Sequence, residues 1–176
     1  MCSSDLGIRS IEDIGKLLRA GADKVAINTA AIRRPELIKE AAHTFGAQCI
    51  VLSLEAMRKG SGGWEAFTDN GREKTGLDAI EWAKRAVDLG AGEVLVTSID
   101  QEGTRRGMDL ALIAALGPVL GVPVIACGGV GSIEHVKQGF DSGADAIAVA
   151  SILHYKTETI GSIKAGLSKT GVRVRL

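Results

Sequence analysis

Apolar residues in this chain fall into two spacings, and the two alternate from one end to the other. Short runs rich in Val, Ile and Ala, namely KVAIN, CIVLSLE, EVLVTS, VPVIA and AIAVA, predict strands over 24–28, 49–55, 93–98, 122–126 and 146–150. Between them, apolar positions three and four apart with charged residues on the opposite side predict helices. These begin at about Ser10, span 35–44 and 76–89, start again at Asp109, recur before the last strand, and end with 162–169. The segment 58–75, RKGSGGWEAFTDNGREKT, breaks the rhythm with an apolar/polar alternation followed by Asn70-Gly71, which predicts a small hairpin on the side where the strands end.

Strict alternation of strand and helix means a parallel sheet, either open and doubly wound or closed into a barrel. Nearly every strand ends in residues suited to ligand contact: Asn28 and Thr29; Glu55; Thr97, Ser98 and Asp100; Cys127, Gly128 and Gly129; Ala150 and Ser151. A (β/α)8 barrel delivers all strand ends to one face, whereas an open sheet gathers contacts at a switch point, so the barrel is favoured. Five strands are read here against the eight of a closed barrel, so the expectation is a partial (β/α)8 barrel with about five of eight βα units. The opening MCSSDL fits no strand, although a strand is needed before Gly7. Residues 1–6 are therefore read as a non-native leader and 7–176 as the C-terminal part of one barrel domain.

The pattern repeats. Residues 7–30, GIRSIEDIGKLLRAGADKVAINTA, align without a gap with residues 129–152, GVGSIEHVKQGFDSGADAIAVASI. Each copy is a glycine turn, a helix opening Ser-Ile-Glu, a Gly-Ala-Asp break and a short strand. A glycine turn ahead of a helix presents free N–H groups at the positive end of the helix dipole and favours an anion, usually phosphate. An ordinary α/β turn can look the same, but its duplication points to a substrate with two phosphates. One cradle would draw on Gly7, Asn28 and Thr29; the other on Gly103, Gly128, Gly129, Ala150 and Ser151.

Composition narrows the partner. The 21 basic and 21 acidic residues cancel and are scattered, which argues against nucleic acid or a membrane surface and for a small molecule. With 45% hydrophobic and only 3% aromatic residues, 176 residues suit one packed domain built on a Val/Ile/Ala sheet. No signal peptide or membrane span is read, and the expected location is the cytoplasm. Cys2, Cys49 and Cys127 lack metal or redox spacing and are read as buried free thiols. His43, His135 and His154 form no metal-binding pair, so neither metal nor cofactor is predicted.

Glu55 is the first catalytic candidate, because a carboxylate closing the apolar run IVLSL can exchange protons near neutral pH. The alternative is a plain ion pair with a neighbour such as Arg58. Asp100 and Glu102 in SIDQEGT would serve as acid, base or substrate clamp, or simply shape a turn. Trp82 falls on the core face of its helix, and Trp64 in the hairpin is read as packing.

Together GADKVAINTAA, GAGEVLVTSIDQEGTRRG, IACGGVGSIEH, SILHY and GVRVRL resemble the cyclase subunit family of imidazole glycerol phosphate synthase, over residues 7–176 and in the order of that family's later five βα units. The resemblance implies an enzyme that takes ammonia from a glutaminase partner. It closes the imidazole ring on a bis-phosphorylated ribulosyl-formimino aminoimidazole carboxamide ribotide, giving imidazole glycerol phosphate and the aminoimidazole carboxamide ribotide. It implies two acid/base aspartates, the second at the position of Glu55, where the added methylene moves the carboxylate by about an ångström and costs about 10²-fold in rate. It implies phosphate sites at Asn28 and Thr29 and at Gly103, Gly129, Ala150 and Ser151, with Thr97 and Glu102 facing substrate. Lys24 and Glu93 would then mark the face where ammonia enters and the glutaminase docks. Cys127 replaces the family's usual serine, and Leu6 replaces a glycine of the first phosphate loop. The chain as written is expected to be inactive. The other readings are a cyclase-like subunit that delivers ammonia in sugar amidation, a related isomerase of the same pathway, and a non-catalytic phosphate-binding fragment.

Overall fold

Strand β2, Ile50–Arg58, organises the sheet in the computed structural model, which describes residues 7–175. It pairs in parallel with β1 (Val25–Ile27) through Ile50–Leu52 on one side and with β5 (Glu93–Ser98) through Val51–Ala56 on the other. β5 continues to β6 (Val124–Cys127), and β6 to β7 (Ala146–Ala148), all parallel. The parallel order is thus β1-β2-β5-β6-β7, and the outer edges of β1 and β7 pair with no other strand among the described residues. The hairpin read at 58–75 is present as β3 (Trp64–Thr68) and β4 (Glu73–Asp78), with β3 antiparallel to the last four residues of β2. It lies on the β1 side, beyond the point where β1 stops. The expected leader falls on residues 1–6, outside the described residues.

Because side chains alternate along a strand, the sheet has two distinct faces. Val25, Ile27, Ile50, Leu52, Leu54, Val94, Val96 and Val124 form the core with the helices, each at most 1% exposed. Each such side chain contributes about 1.5–3 kcal/mol of burial free energy. The packing helices are α1 (Ile11–Arg19), α3 (Glu36–Phe45), α4 (Ala79–Asp88), α5 (Leu110–Leu116), α6 (Ile133–Asp141) and α8 (Ile160–Lys169). The opposite face carries Ala26, Asn28, Val51, Ser53, Glu55, Leu95, Thr97, Ile125 and Cys127. It is covered at β1 and β2 and increasingly open toward β7.

The sequence repeat is a structural repeat. Ser10 caps α1 by accepting from the Asp13 N–H at 3.2 Å, and Ser132 caps α6 by accepting from the His135 N–H at 3.3 Å. Both helices have nine residues and end in the same way, with left-handed Gly21 and Gly143 followed by the bonds Ala22 N–H to Leu17 O and Ala144 N–H to Gly139 O, each 3.1 Å. Each copy then ends in a short helix absent from the sequence reading, α2 (Thr29–Arg33) and α7 (Ser151–His154).

Several expected boundaries move, such as β6, which runs from Val124 to Cys127 instead of over 122–126, and α8, which starts at Ile160. β2 runs on to Arg58, since β3 supplies pairing that the residues of β2 do not announce. The helix expected from residue 76 starts at Ala79, because Gly76–Asp78 is held in β4 and Asp78 caps the helix, accepting from the N–H of Ile80 at 3.0 Å and of Glu81 at 3.2 Å. Cys49 sits in a 3₁₀ turn, and both Cys49 and Cys127 are half-buried rather than buried. Trp82 is in the core as expected, 3% exposed.

Two consequences are testable. At Gly92 an added Cβ would lie 2.3 Å from the carbonyl oxygen of Ala47, whereas at Gly121 it would meet nothing within 4 Å. Gly92→Ala should lower unfolding free energy by about 1–3 kcal/mol in urea melts, and Gly121→Ala should leave the midpoint in place. Burial of the Asp78 carboxyl works against its charge, but the N–H of Glu81, the Lys59 ammonium and the N–H of Ile80 together hold it below the ordinary aspartate value. Its folded value being lower than the unfolded one, its contribution is complete above about pH 3.9 and is lost as pH falls through the folded value. Asp78→Asn should therefore show a shallower loss of stability than wild type when melts are followed below pH 4.

Candidate functional site

The polar face of the sheet brings the nominated residues into line. Glu55 lies opposite Thr97 in the β2–β5 register, Thr97 opposite Cys127 in β5–β6, and Cys127 opposite Ala148 in β6–β7. One row across four strands therefore holds a carboxylate, a hydroxyl and a thiol. Glu55 is half-buried, and its Oε2 accepts the Gly71 N–H at 2.7 Å. Arg58, the suggested ion-pair partner, belongs to the other face of β2: its guanidinium reaches Asp109 at 2.8 Å and covers the Trp64 ring at 4.9 Å.

A cavity of about 330 Å³ opens at the end of β1, lined by Gly7, Ile8, Arg9, Thr29, Ala30, Arg33, Arg34 and Asp69. This is the first cradle of the sequence reading, with Gly7 in the left-handed region at φ 96°. Three arginines border it, of which Arg34 is paired with Glu40 at 2.5 Å and Arg33 lies 3.8 Å from Glu73. The Arg33-Arg34 pair, four and five residues after Thr29, was the available signal: α2 turns it back toward Thr29. Asn28 does not line this cavity. It is 1% exposed and donates from Nδ2 to the carbonyl of Phe67 at 3.1 Å, while its Oδ1 accepts no hydrogen bond from the described residues. Leu6, read as altering this loop, falls outside the described residues.

The second cluster joins Glu102, Gly103, Arg105, Cys127, Gly128, Gly129, Val130, Ala148, Ala150 and Ser151 at the ends of β5, β6 and β7. Its free space is about 20 Å³, enough for a water but not for a phosphate. The loop 103–107 closes it. Gly107 donates its N–H to the carbonyl of Gly129 at 2.9 Å, and a Cβ at Gly129 would lie 2.0 Å from the carbonyl oxygen of Gly107. Arg105 is held at φ 57°, with its guanidinium 5.0 Å over the Tyr155 ring. The glycines of the second turn thus serve close backbone approach, and the 103–107 loop leaves little enclosed space beside them.

Asp100 shapes the hairpin base by accepting the Arg58 N–H at 2.8 Å. Asp109, 5% exposed in its side chain, binds Arg58, accepts Trp64 Nε1–H at 2.8 Å and caps α5 through the Leu112 N–H at 3.1 Å. Trp64 is therefore an anchor with a polar handle as well as a packing residue. At the opposite ends of the strands Lys24 and Glu93 form an ion pair beside a cavity of about 670 Å³. Burial pushes the Cys127 thiol above its ordinary value, the charge of Glu102 adds to this, and hydrogen bonds from Thr97 and Gly128 oppose it. Among the described residues no group of three or more His, Cys, Asp or Glu is placed to hold a metal ion, and no helix is long and apolar enough to cross a membrane.

With this geometry in hand, comparison with known proteins is specific. The sequence model of the family described as "Histidine biosynthesis protein" matches residues 2–159. The imidazole glycerol phosphate synthase subunit HisF of Mycobacteroides abscessus is 51% identical over 175 residues, covering 96% of this chain and 68% of that protein.

The raised Cys127 value sets a test. Iodoacetamide at pH 8 should label Cys127 more slowly in the native protein than in the unfolded chain, as followed by peptide mass spectrometry. Glu102→Gln should accelerate native labelling by removing the charge that disfavours the thiolate.

Proposed function

This chain belongs to the histidine biosynthesis protein family, and from that membership we propose that it acts as the ammonia-dependent cyclase of an imidazole glycerol phosphate synthase. The reaction closes the imidazole ring on the bis-phosphorylated ribulosyl-formimino aminoimidazole carboxamide ribotide and releases imidazole glycerol phosphate and the aminoimidazole carboxamide ribotide. The observation that carries the reading is the strand order β1-β2-β5-β6-β7: Glu55 on β2 stands between a cradle at the end of β1 and one at the ends of β6 and β7. A substrate with a phosphate at each end would span them and lay its middle over the row Glu55, Thr97, Cys127.

In this reading Thr29 and the backbone at Gly7 hold one phosphate, with Arg9 and Arg33 neutralising its charge. Asn28 supports the site from behind. Gly103, Gly128, Gly129, Ala150 and Ser151 hold the other phosphate, and Glu102 contacts substrate beside Cys127. Glu55 transfers the proton on one side of the closing ring, and Thr97 beside it orients the reacting group. The Lys24–Glu93 pair marks the end of the sheet that would receive ammonia from a glutaminase subunit. The five parallel strands occupy five of the eight positions of a (β/α)8 barrel. Glutamate at position 55 gives specific support to a second reading, an ammonia-dependent relative with a different acceptor, as in sugar amidation.

Turnover of the ribulosyl-formimino substrate with ammonium tests this, using the chain alone and with the uncovered part of the Mycobacteroides relative supplied as a second polypeptide. The cyclase reading expects activity that Glu55→Gln lowers by about 10²–10⁴-fold. Activity appearing only in Glu55→Asp would favour the second reading, and none in any form would sink the first.

A further inference from the structure

The turn joining β3 to β4 makes two hydrogen bonds to the nominated chemistry, and the strand leading into it makes a third. Asp69, Asn70 and Gly71 are consecutive left-handed residues at φ 54°, 56° and 75°, a turn that aims its amides back at the ends of β1 and β2. The Asp69 N–H donates to Thr29 Oγ1 at 3.2 Å, and the Gly71 N–H to Glu55 Oε2 at 2.7 Å. Just before the turn, the carbonyl of Phe67 accepts from Asn28 at 3.1 Å. The hairpin base is pinned at its other end by Asp109, which binds both Arg58 and Trp64. The tip is therefore held between a fixed base and the two side chains it touches.

We infer that this tip is a positioning device that couples anion capture at Thr29 to the carboxylate of Glu55. A hydroxyl has one hydrogen. By accepting from Asp69, Thr29 Oγ1 is turned so that its own O–H can donate into the cavity it shares with Arg9 and Arg33, the orientation an anion requires. The Gly71 N–H holds one oxygen of Glu55 and so fixes the rotation of the carboxylate plane. The two donors are two residues apart on one rigid turn, so moving either acceptor displaces the other. Glutamate, one methylene longer than aspartate, has the reach to meet the tip. Asp69 and Gly71 act here as positioning residues through their backbone. Naming the anion as phosphate rests on the function proposed above; the coupling itself is measured independently of turnover.

The experiment titrates inorganic phosphate into the isotopically labelled chain, reading the amides of Gly7, Arg9, Asp69 and Gly71 by NMR, in wild type, Glu55→Gln and Glu55→Ala. Both variants remove the charge, but only glutamine can still accept from Gly71. Glu55 does not line the phosphate cavity, so a direct effect of the side chain on the anion is absent from the comparison. The expected result is phosphate affinity about fivefold weaker in Glu55→Ala than in Glu55→Gln, the worth of one such hydrogen bond. If Glu55→Ala does not fold, Gly71→Ala carries the same prediction, because its Cβ would meet Ile99 at 3.0 Å in a left-handed conformation and push the tip away. Equal affinities would overturn the coupling and leave the phosphate site standing. Absence of phosphate binding in wild type would overturn the site and the coupling together.

Discussion

The register of β2 is the constraint from which the rest of the structure follows. This strand is paired with β1, β5 and β3 at once, and its side chains alternate between the helix-packed core and the polar face. A slip of one residue would turn Glu55 into the helix-packed core beside Val94 and Val96 and turn Leu52 and Leu54 toward the row of Thr97 and Cys127. Placing a carboxylate in the apolar core costs several kcal/mol, so the apolar face enforces the placement of the polar one. The chemistry inherits its precision from the packing.

The two copies of the repeat show what the same local structure does in different surroundings. Their caps, helix lengths and left-handed glycines coincide, yet the first turn faces an open cavity with three arginines and the second lies under the 103–107 loop. The difference comes from outside the repeat. The first is bordered by the hairpin tip, which stops at Thr29. The second meets a loop whose own glycine, Gly107, closes directly on Gly129. A glycine turn therefore defines where backbone can approach, and its neighbours decide whether a ligand or another loop takes the space.

The hairpin is the element whose role changes most between the linear and the folded view. In the sequence it is a small hairpin that interrupts the alternation; in the fold it extends β2, anchors on Asp109 and brings amides to Thr29 and Glu55. Asp109 illustrates the economy of such a link, since one buried carboxylate caps α5 and holds both Arg58 and Trp64. A carboxylate accepting that many donors is strongly localised, which makes the hairpin base a fixed point from which the tip can be aimed.

Much of this was legible in the linear chain. The period of apolar positions sets the parallel αβ order, the gapless match between residues 7–30 and 129–152 sets the duplicated unit, and small polar residues after the strands mark one face as the working one. These are local properties, carried by propensity, capping and side-chain alternation over a few residues, so the order of residues along the chain suffices to determine them. The tertiary structure alone decided that Arg9, Arg33 and Arg34 surround the first cradle, that Asn28 turns to the hairpin instead of the cavity, that the second cradle is closed, and that Gly71 holds Glu55. Each depends on side chains or amides far apart in sequence meeting through the register of β2 and the sweep of the hairpin, and no local pattern encodes a distance between such residues until the sheet has brought them together.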